Sequence, residues 1–151
     1  MLRVSLGVVM LCWGMMAYSK TSHPLAVCMS LHEIAASTFE QKSRGQPKQV
    51  LLARLSPKQV LAQSELTKPA DIIALNMHDI IDEVYDFQPL PMSVYGQYAV
   101  ERCIRRVDNF PIASYGLIFP ELQQCVKLGS RRTIAGCVTD ALINTQMDSK
   151  I

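Results

Sequence analysis

An even number of cysteines follows the N-terminal export signal of this chain, and this number is the strongest constraint on its fold. The signal is predicted over residues 1–19, where a basic start precedes an apolar run that ends at Met16. Small residues stand just before Lys20, where we expect cleavage. Disulfide bonds persist in the oxidising compartments that exported proteins reach. We therefore predict two structural disulfide bonds among the remaining cysteines, which are Cys28, Cys103, Cys125 and Cys137.

The apolar run also allows an alternative, in which it stays attached as an N-terminal anchor. A bilayer-spanning helix needs about 20 apolar residues, and this run is shorter. Cleavage is therefore the favoured interpretation, with no stable insertion into the membrane afterwards.

Four cysteines can pair in three ways, and helix geometry favours one of them. Gly129 and Ser130 predict a tight break between two antiparallel helices, with Cys125 one turn before it and Cys137 about two turns after it. Because a helix rises about 1.5 Å per residue, these two cysteines would lie at similar heights. A Cys125–Cys137 bond is then feasible, and Cys28 is left to pair with Cys103.

Length and charge indicate one domain and argue against nucleic-acid binding. The chain has 151 residues, so residues 20–151 suffice for one helical domain. It has 15 Lys and Arg against 13 Asp and Glu, and loss of Arg3 with the signal leaves 14 against 13. Nucleic-acid binding calls for a concentrated basic surface, which this balance does not favour.

Apolar spacings of three and four residues predict an all-α protein, a compact bundle of five or six helices. The clearest pattern runs from Ile73 to Phe87, and Ser56-Pro57 is a typical helix start. The segment from Gln49 to Leu55 is the nearest approach to a strand pattern. The predicted helices are Leu25–Ser43, Pro57–Glu65, Pro69–Asp86, one capped by Ser93 that ends at Val107, Pro120–Gly129 and one that begins after Ser130.

An acidic helix face is the strongest candidate for chemistry. His78 and Asp82 are spaced i, i+4, and Asp79, Glu83 and Asp86 extend the same side. A divalent metal could bridge such a pair, but a zinc site usually needs three or four ligands. We favour a solvated face that pairs with arginines of the next predicted helix, namely Arg102, Arg105 and Arg106. We predict no catalytic residue and no cofactor.

The segment from residue 109 to 119 is predicted to be a loop and is unusually apolar for a connection. Its side chains either cover the helical core or present an apolar patch to a partner. The core interpretation is favoured because a small domain needs the burial. The candidate partner-binding residues are Phe110, Ile112, Tyr115, Leu117 and Phe119.

The order of several short features resembles that of small exported helical proteins with four cysteines, common in proteobacteria. These features are Cys28, Arg44-Gly45, Val84-Tyr85, the turn from Pro89 to Pro91, and Ala99 to Cys103. The resemblance implies an exported helical domain and brings no catalytic residues. The chain is also similar in kind to periplasmic immunity proteins of interbacterial toxin systems.

These features favour a non-catalytic binding protein, periplasmic or secreted, of the inhibitor or immunity type, with a protein partner in the periplasm. One alternative is a structural or envelope-stress protein that associates with itself. Another is a metal-dependent enzyme that uses His78 and the acidic face.

Overall fold

The computed structural model describes residues 24–64 and 66–148, with side chains described as far as residue 145. The predicted signal peptide lies outside these residues. The described chain is all-α, as predicted, and five of its helices are 11 residues or longer. No helix in these two ranges is both long and apolar enough to cross a membrane. The helices are α1 (Pro24–Met29), α2 (Leu31–Ser43), α3 (Lys48–Leu52), α4 (Lys58–Ala62), α5 (Pro69–Asp86), α6 (Met92–Val107), α7 (Tyr115–Cys125) and α8 (Arg131–Asp148).

The first predicted helix is divided at Ser30. The Ser30 hydroxyl donates a 2.7 Å hydrogen bond to the Val27 carbonyl oxygen, and its backbone N–H bonds the same oxygen at 3.2 Å. A serine inside a helix can compete for backbone acceptors in this way, which locally tightens the turn. At the other end of α2, Gly45 has a φ of 77°, which confirms its predicted role after a helix C-terminus.

The short helices α3 and α4 both pack against α5. Helix α3 overlaps the weak strand pattern at Gln49 to Leu55, which was too short to predict a sheet. Helix α4 has Pro57 as its N-cap residue, with extended backbone, one position later than predicted. Both helices bring lysines to the acidic face of α5, as described below.

Helix α5 has the predicted bounds. Helix α6 begins at Met92 with Pro91 at its N-cap, so the predicted cap at Ser93 was wrong by two residues. Gly96 of α6 is buried against the ring of His32 on α2. A Cβ atom at residue 96 would lie 2.3 Å from Cδ2 of His32, far inside van der Waals contact. The glycine therefore allows α2 and α6 to approach closely, although it costs about 1 kcal/mol of helix stability relative to alanine.

The predicted loop over residues 109–119 is wrong in its second half. Helix α7 begins at Tyr115, and Pro120 lies within it rather than at its start. Tyr115, Ile118 and Leu122 are buried and follow the spacing of three and four that marks a helix face. Ser130 caps α8 as predicted, since its Oγ accepts a 3.2 Å hydrogen bond from the N–H of Thr133.

Helix α6 is the centre of the bundle, because it contacts α1, α2, α5, α7 and α8. Both predicted disulfide bonds are present. Cys28–Cys103 joins α1 to α6 with a Cα–Cα distance of 5.5 Å, and Cys125–Cys137 joins α7 to α8 at 5.7 Å. Such bonds are consistent with an oxidising, extracytoplasmic compartment.

The two disulfide bonds are expected to stabilise the fold unequally. They span 75 and 12 residues, so chain entropy predicts about 4 kcal/mol for Cys28–Cys103 and about 3 kcal/mol for Cys125–Cys137. Replacing both cysteines of one bond by alanine should lower the free energy of unfolding in urea more for Cys28–Cys103 than for Cys125–Cys137. Mass spectrometry verifies that the other bond is retained in each variant. A larger loss from removal of the shorter loop would contradict the expectation.

Candidate functional site

Two rows of polar side chains face each other across α5 and α6. Asp79 and Glu83 are four residues apart on α5, and Tyr98, Arg102 and Arg106 repeat at intervals of four on α6. Residues at this spacing lie on one face of a helix. The two rows therefore meet residue by residue along the contact between the helices.

The centre of the contact is a buried ion pair. Arg102 is 2% exposed, and its Nη1 donates to Oε1 of Glu83, which is 8% exposed. The Tyr95 hydroxyl donates to Oε2 of Glu83 at 2.8 Å, and the Tyr98 hydroxyl donates to Oε1 at 3.4 Å. The guanidinium group of Arg102 also lies over the Tyr98 ring, 4.9 Å from its centroid.

Burial and charge act in opposite directions on the pKa values of this pair. Burial raises the pKa of Glu83 above its usual value, although Arg102 and the Tyr95 hydroxyl oppose the shift. Burial lowers the pKa of Arg102, but Glu83 and the two tyrosines raise it by more, so the net shift is upward. The pKa values of Tyr95 and Tyr98 are raised chiefly by burial. Both hydroxyls therefore remain protonated donors at neutral pH.

A second layer of ion pairs surrounds the first, nearer to solvent. Asp79 accepts from Nη2 of Arg106 at 2.5 Å and from Nζ of Lys58 at 2.7 Å. Lys48 of α3 lies 2.9 Å from Asp82 and 2.6 Å from Asp86. Burial raises the pKa of Asp79, but the charges of Arg102, Arg106 and Lys58 lower it further, and the net shift is downward. The acidic row of α5, from Asp79 to Asp86, is thus held in place by cations from α3, α4 and α6.

The segment between α6 and α7 lies over these ion pairs and leaves a cleft, which we name the Arg102 cleft. The ion pairs form the floor of this cleft. It has a volume of about 320 Å³, and residues 112–115 form one wall. Its other walls come from Lys58, the acidic row of α5 and the arginines of α6. An adjoining depression of about 630 Å³, the outer groove, is lined by residues 109–112 and by apolar side chains of α4 and α5.

Arg102, one of the residues that line the cleft, has unused hydrogen-bonding capacity. Its Nε and Nη2 groups are buried and have no hydrogen-bond partner, while Nη1 is fully engaged by Glu83 and Tyr98. Buried N–H groups without an acceptor are rare and costly. Arg102, which lines the cleft, thus carries two buried N–H groups whose hydrogen-bonding capacity is unused.

The structure divides the predicted partner-binding residues between core and surface. Tyr115 is 6% exposed and packs edge-on against Phe87, with ring centroids 4.9 Å apart. Ile112 and Phe119 are half-buried. Phe110 and Leu117 are 55% and 61% exposed, so they are the members of the set most available to a partner.

The side chains that the metal-site alternative requires are arranged differently from what the sequence suggested. His78 is buried, and its Nε2 lies 2.8 Å from the Ser56 carbonyl oxygen, which ties α5 to the start of α4. Among the described residues, no group of three or more His, Cys, Asp or Glu side chains could hold a metal ion. The prediction of a solvated acidic face was wrong for His78 and Glu83, which are buried.

Sequence analysis found two of the cationic partners and missed two. Arg102 and Arg106 pair with the acidic row as predicted, whereas Arg105 lies over the Phe110 ring, 5.5 Å from its centroid. Lys48 and Lys58 were missed because they lie on separate short helices, where local spacing carries no information about α5. The available signal was that each lysine directly follows a proline at a helix start.

Fixed ion pairs around a partly covered cleft suit recognition of a polar group better than proton transfer, because each carboxylate of this site is already held by a cation or a hydroxyl. Comparisons of this chain with family models, curated proteins and solved structures found no match.

The Glu83–Arg102 pair should behave as a coupled unit. Glu83→Leu leaves Arg102 charged and unpaired in the core, which should cost about 3–5 kcal/mol of stability. The double variant Glu83→Leu with Arg102→Met removes both charges and should lose less than the sum of the single losses. Urea unfolding followed by circular dichroism measures the cycle, and additive losses would contradict the coupling.

Asp79 should make folding stability depend on pH in the acid range. Because its pKa is lower in the folded chain than the usual 3.8, its stabilisation is present above that value and is lost as pH falls through the folded pKa. Asp79→Asn removes this titration. In urea unfolding between pH 5 and pH 2, the free energy of unfolding should fall less steeply for the variant than for the parent protein. The two slopes should differ by at most about 1.4 kcal/mol per pH unit. Parallel pH profiles would contradict this assignment.

Proposed function

We propose that this protein is an exported, non-catalytic binding protein of the periplasm that recognises a protein partner. The observation that carries the proposal is the irregular segment 109–114, which presents the exposed ring of Phe110 beside a cleft with a fixed, charged floor. Binding sites commonly combine a loop on a rigid scaffold with a few placed polar groups. The two disulfide bonds support the exported location.

The proposed contact surface extends from Phe110 to Leu117. Both side chains are more than half exposed, and they flank the segment that covers the Arg102 cleft. Exposed aromatic side chains beside a pocket are typical anchors of protein interfaces. Arg105 beneath the Phe110 ring holds this aromatic side chain in position from one side. The surface thus combines exposed apolar side chains with the polar groups of the adjacent cleft.

Site-specific photo-crosslinking in the native compartment tests the proposal. A photoreactive residue at position 110 or 117 should yield one crosslinked product with a different protein. Position 29 is a matched control, because Met29 is 58% exposed and lines neither the Arg102 cleft nor the outer groove. Equal products from all three positions, or none from positions 110 and 117, would overturn the proposal. A product of twice the protein's own mass would instead favour self-association.

A further inference from the structure

We infer that the Arg102 cleft captures a carboxylate at the C-terminus of a peptide or protein, with the preceding apolar side chains in the outer groove. The inference rests on the proposed function and names the group that this site recognises. It starts from the two buried N–H groups of Arg102 that have no acceptor, Nε and Nη2. These two groups form one edge of the guanidinium plane, and that edge matches the two oxygens of a carboxylate.

The charge around the cleft limits what can enter. Lys58, Arg102 and Arg106 balance the three carboxylates that line the same cleft. A balanced cleft gives a highly charged anion such as a phosphate no overall attraction. A single carboxylate needs only one fixed donor pair, and the edge of Arg102 opposite Glu83 provides it.

The shape of the site indicates that the carboxylate belongs to a chain end. The Arg102 cleft is small, about 320 Å³, and is closed on one side by residues 112–115. The outer groove adjoins it, since both are bordered by Lys58, Asp79, Arg106 and Ile112. The outer groove is lined in part by Leu66, Leu75 and Phe110. A terminal carboxylate with one or two apolar residues before it would occupy both volumes, whereas a free small acid would occupy only the first.

The test compares three probes on the exported protein with both disulfide bonds intact. One probe is N-acetyl-leucyl-leucine with a free carboxyl group, and the second is its C-terminal amide. Acetate serves as the small free acid. In heteronuclear NMR titrations the dipeptide acid should shift the amide signals of residues 109–115, with a Kd on the order of a millimolar. The amide and acetate should each bind about tenfold more weakly or worse.

Two variants decide which contacts are responsible. Arg102→Lys keeps the positive charge but removes the paired donors, and it should weaken binding of the acid by about tenfold. If that variant fails to fold, Ile112→Glu provides the answer, because it places a repelling charge at the boundary of the two volumes on a non-helical segment. Arg44→Lys is the matched control, since Arg44 is exposed on α2, and it should bind like the parent protein.

The outcomes separate this inference from the proposed function. Equal binding of the acid and the amide, or no binding of the acid at ten-millimolar concentration, would overturn the carboxylate inference. Stronger binding of acetate than of the dipeptide acid would overturn the assignment to a chain end. If position 110 still crosslinks to a different protein when either result is obtained, the proposed protein-binding function is supported and only the carboxylate inference is overturned.

Discussion

Burial of the Glu83–Arg102 ion pair is the constraint on which the rest of the bundle depends. Removing two charges from water costs several kcal/mol per ion, and only good geometry with further hydrogen bonds offsets that cost. Helices α5 and α6 must therefore meet in the register that aligns these two side chains. Tyr95 and Tyr98 have to stand where their hydroxyls reach the carboxylate. This one pair thus fixes the rotation of both central helices.

The fixed register extends outward to the surface that we propose for recognition. Once Glu83 faces Arg102, the spacing of four residues brings Asp79 opposite Arg106 and leaves Asp82 and Asp86 toward α3 and α4. Each of those short helices buries one leucine, and its lysine adds an ion pair to the acidic side chains of α5. The floor of the Arg102 cleft is consequently held by ion pairs, whereas its cover, residues 112–114, is an irregular segment.

Local patterns predicted the parts of the fold that local forces determine. Helix α5 follows from its apolar period, and the Cys125–Cys137 bond follows from two helices that meet at Gly129 and Ser130. The start of α7 was missed because Pro120 suggested a helix start, while the buried face of Tyr115, Ile118 and Leu122 was taken for an apolar loop. Burial of Glu83 could not be read from the sequence, since its partner lies 19 residues away on another helix. The cleft depends on these long-range contacts and was therefore not predicted.

The covalent topology of the chain has a consequence for the segment that covers the cleft. The Cys28–Cys103 bond encloses residues 28–103, and the Cys125–Cys137 bond encloses the turn between α7 and α8 with the start of α8. Residues 104–124 belong to neither ring. Hydrolysis of a peptide bond between residues 29 and 102 would leave the two fragments tethered through sulfur. Hydrolysis in the linker between the rings would give two polypeptides with no covalent link between them, held together by packing alone.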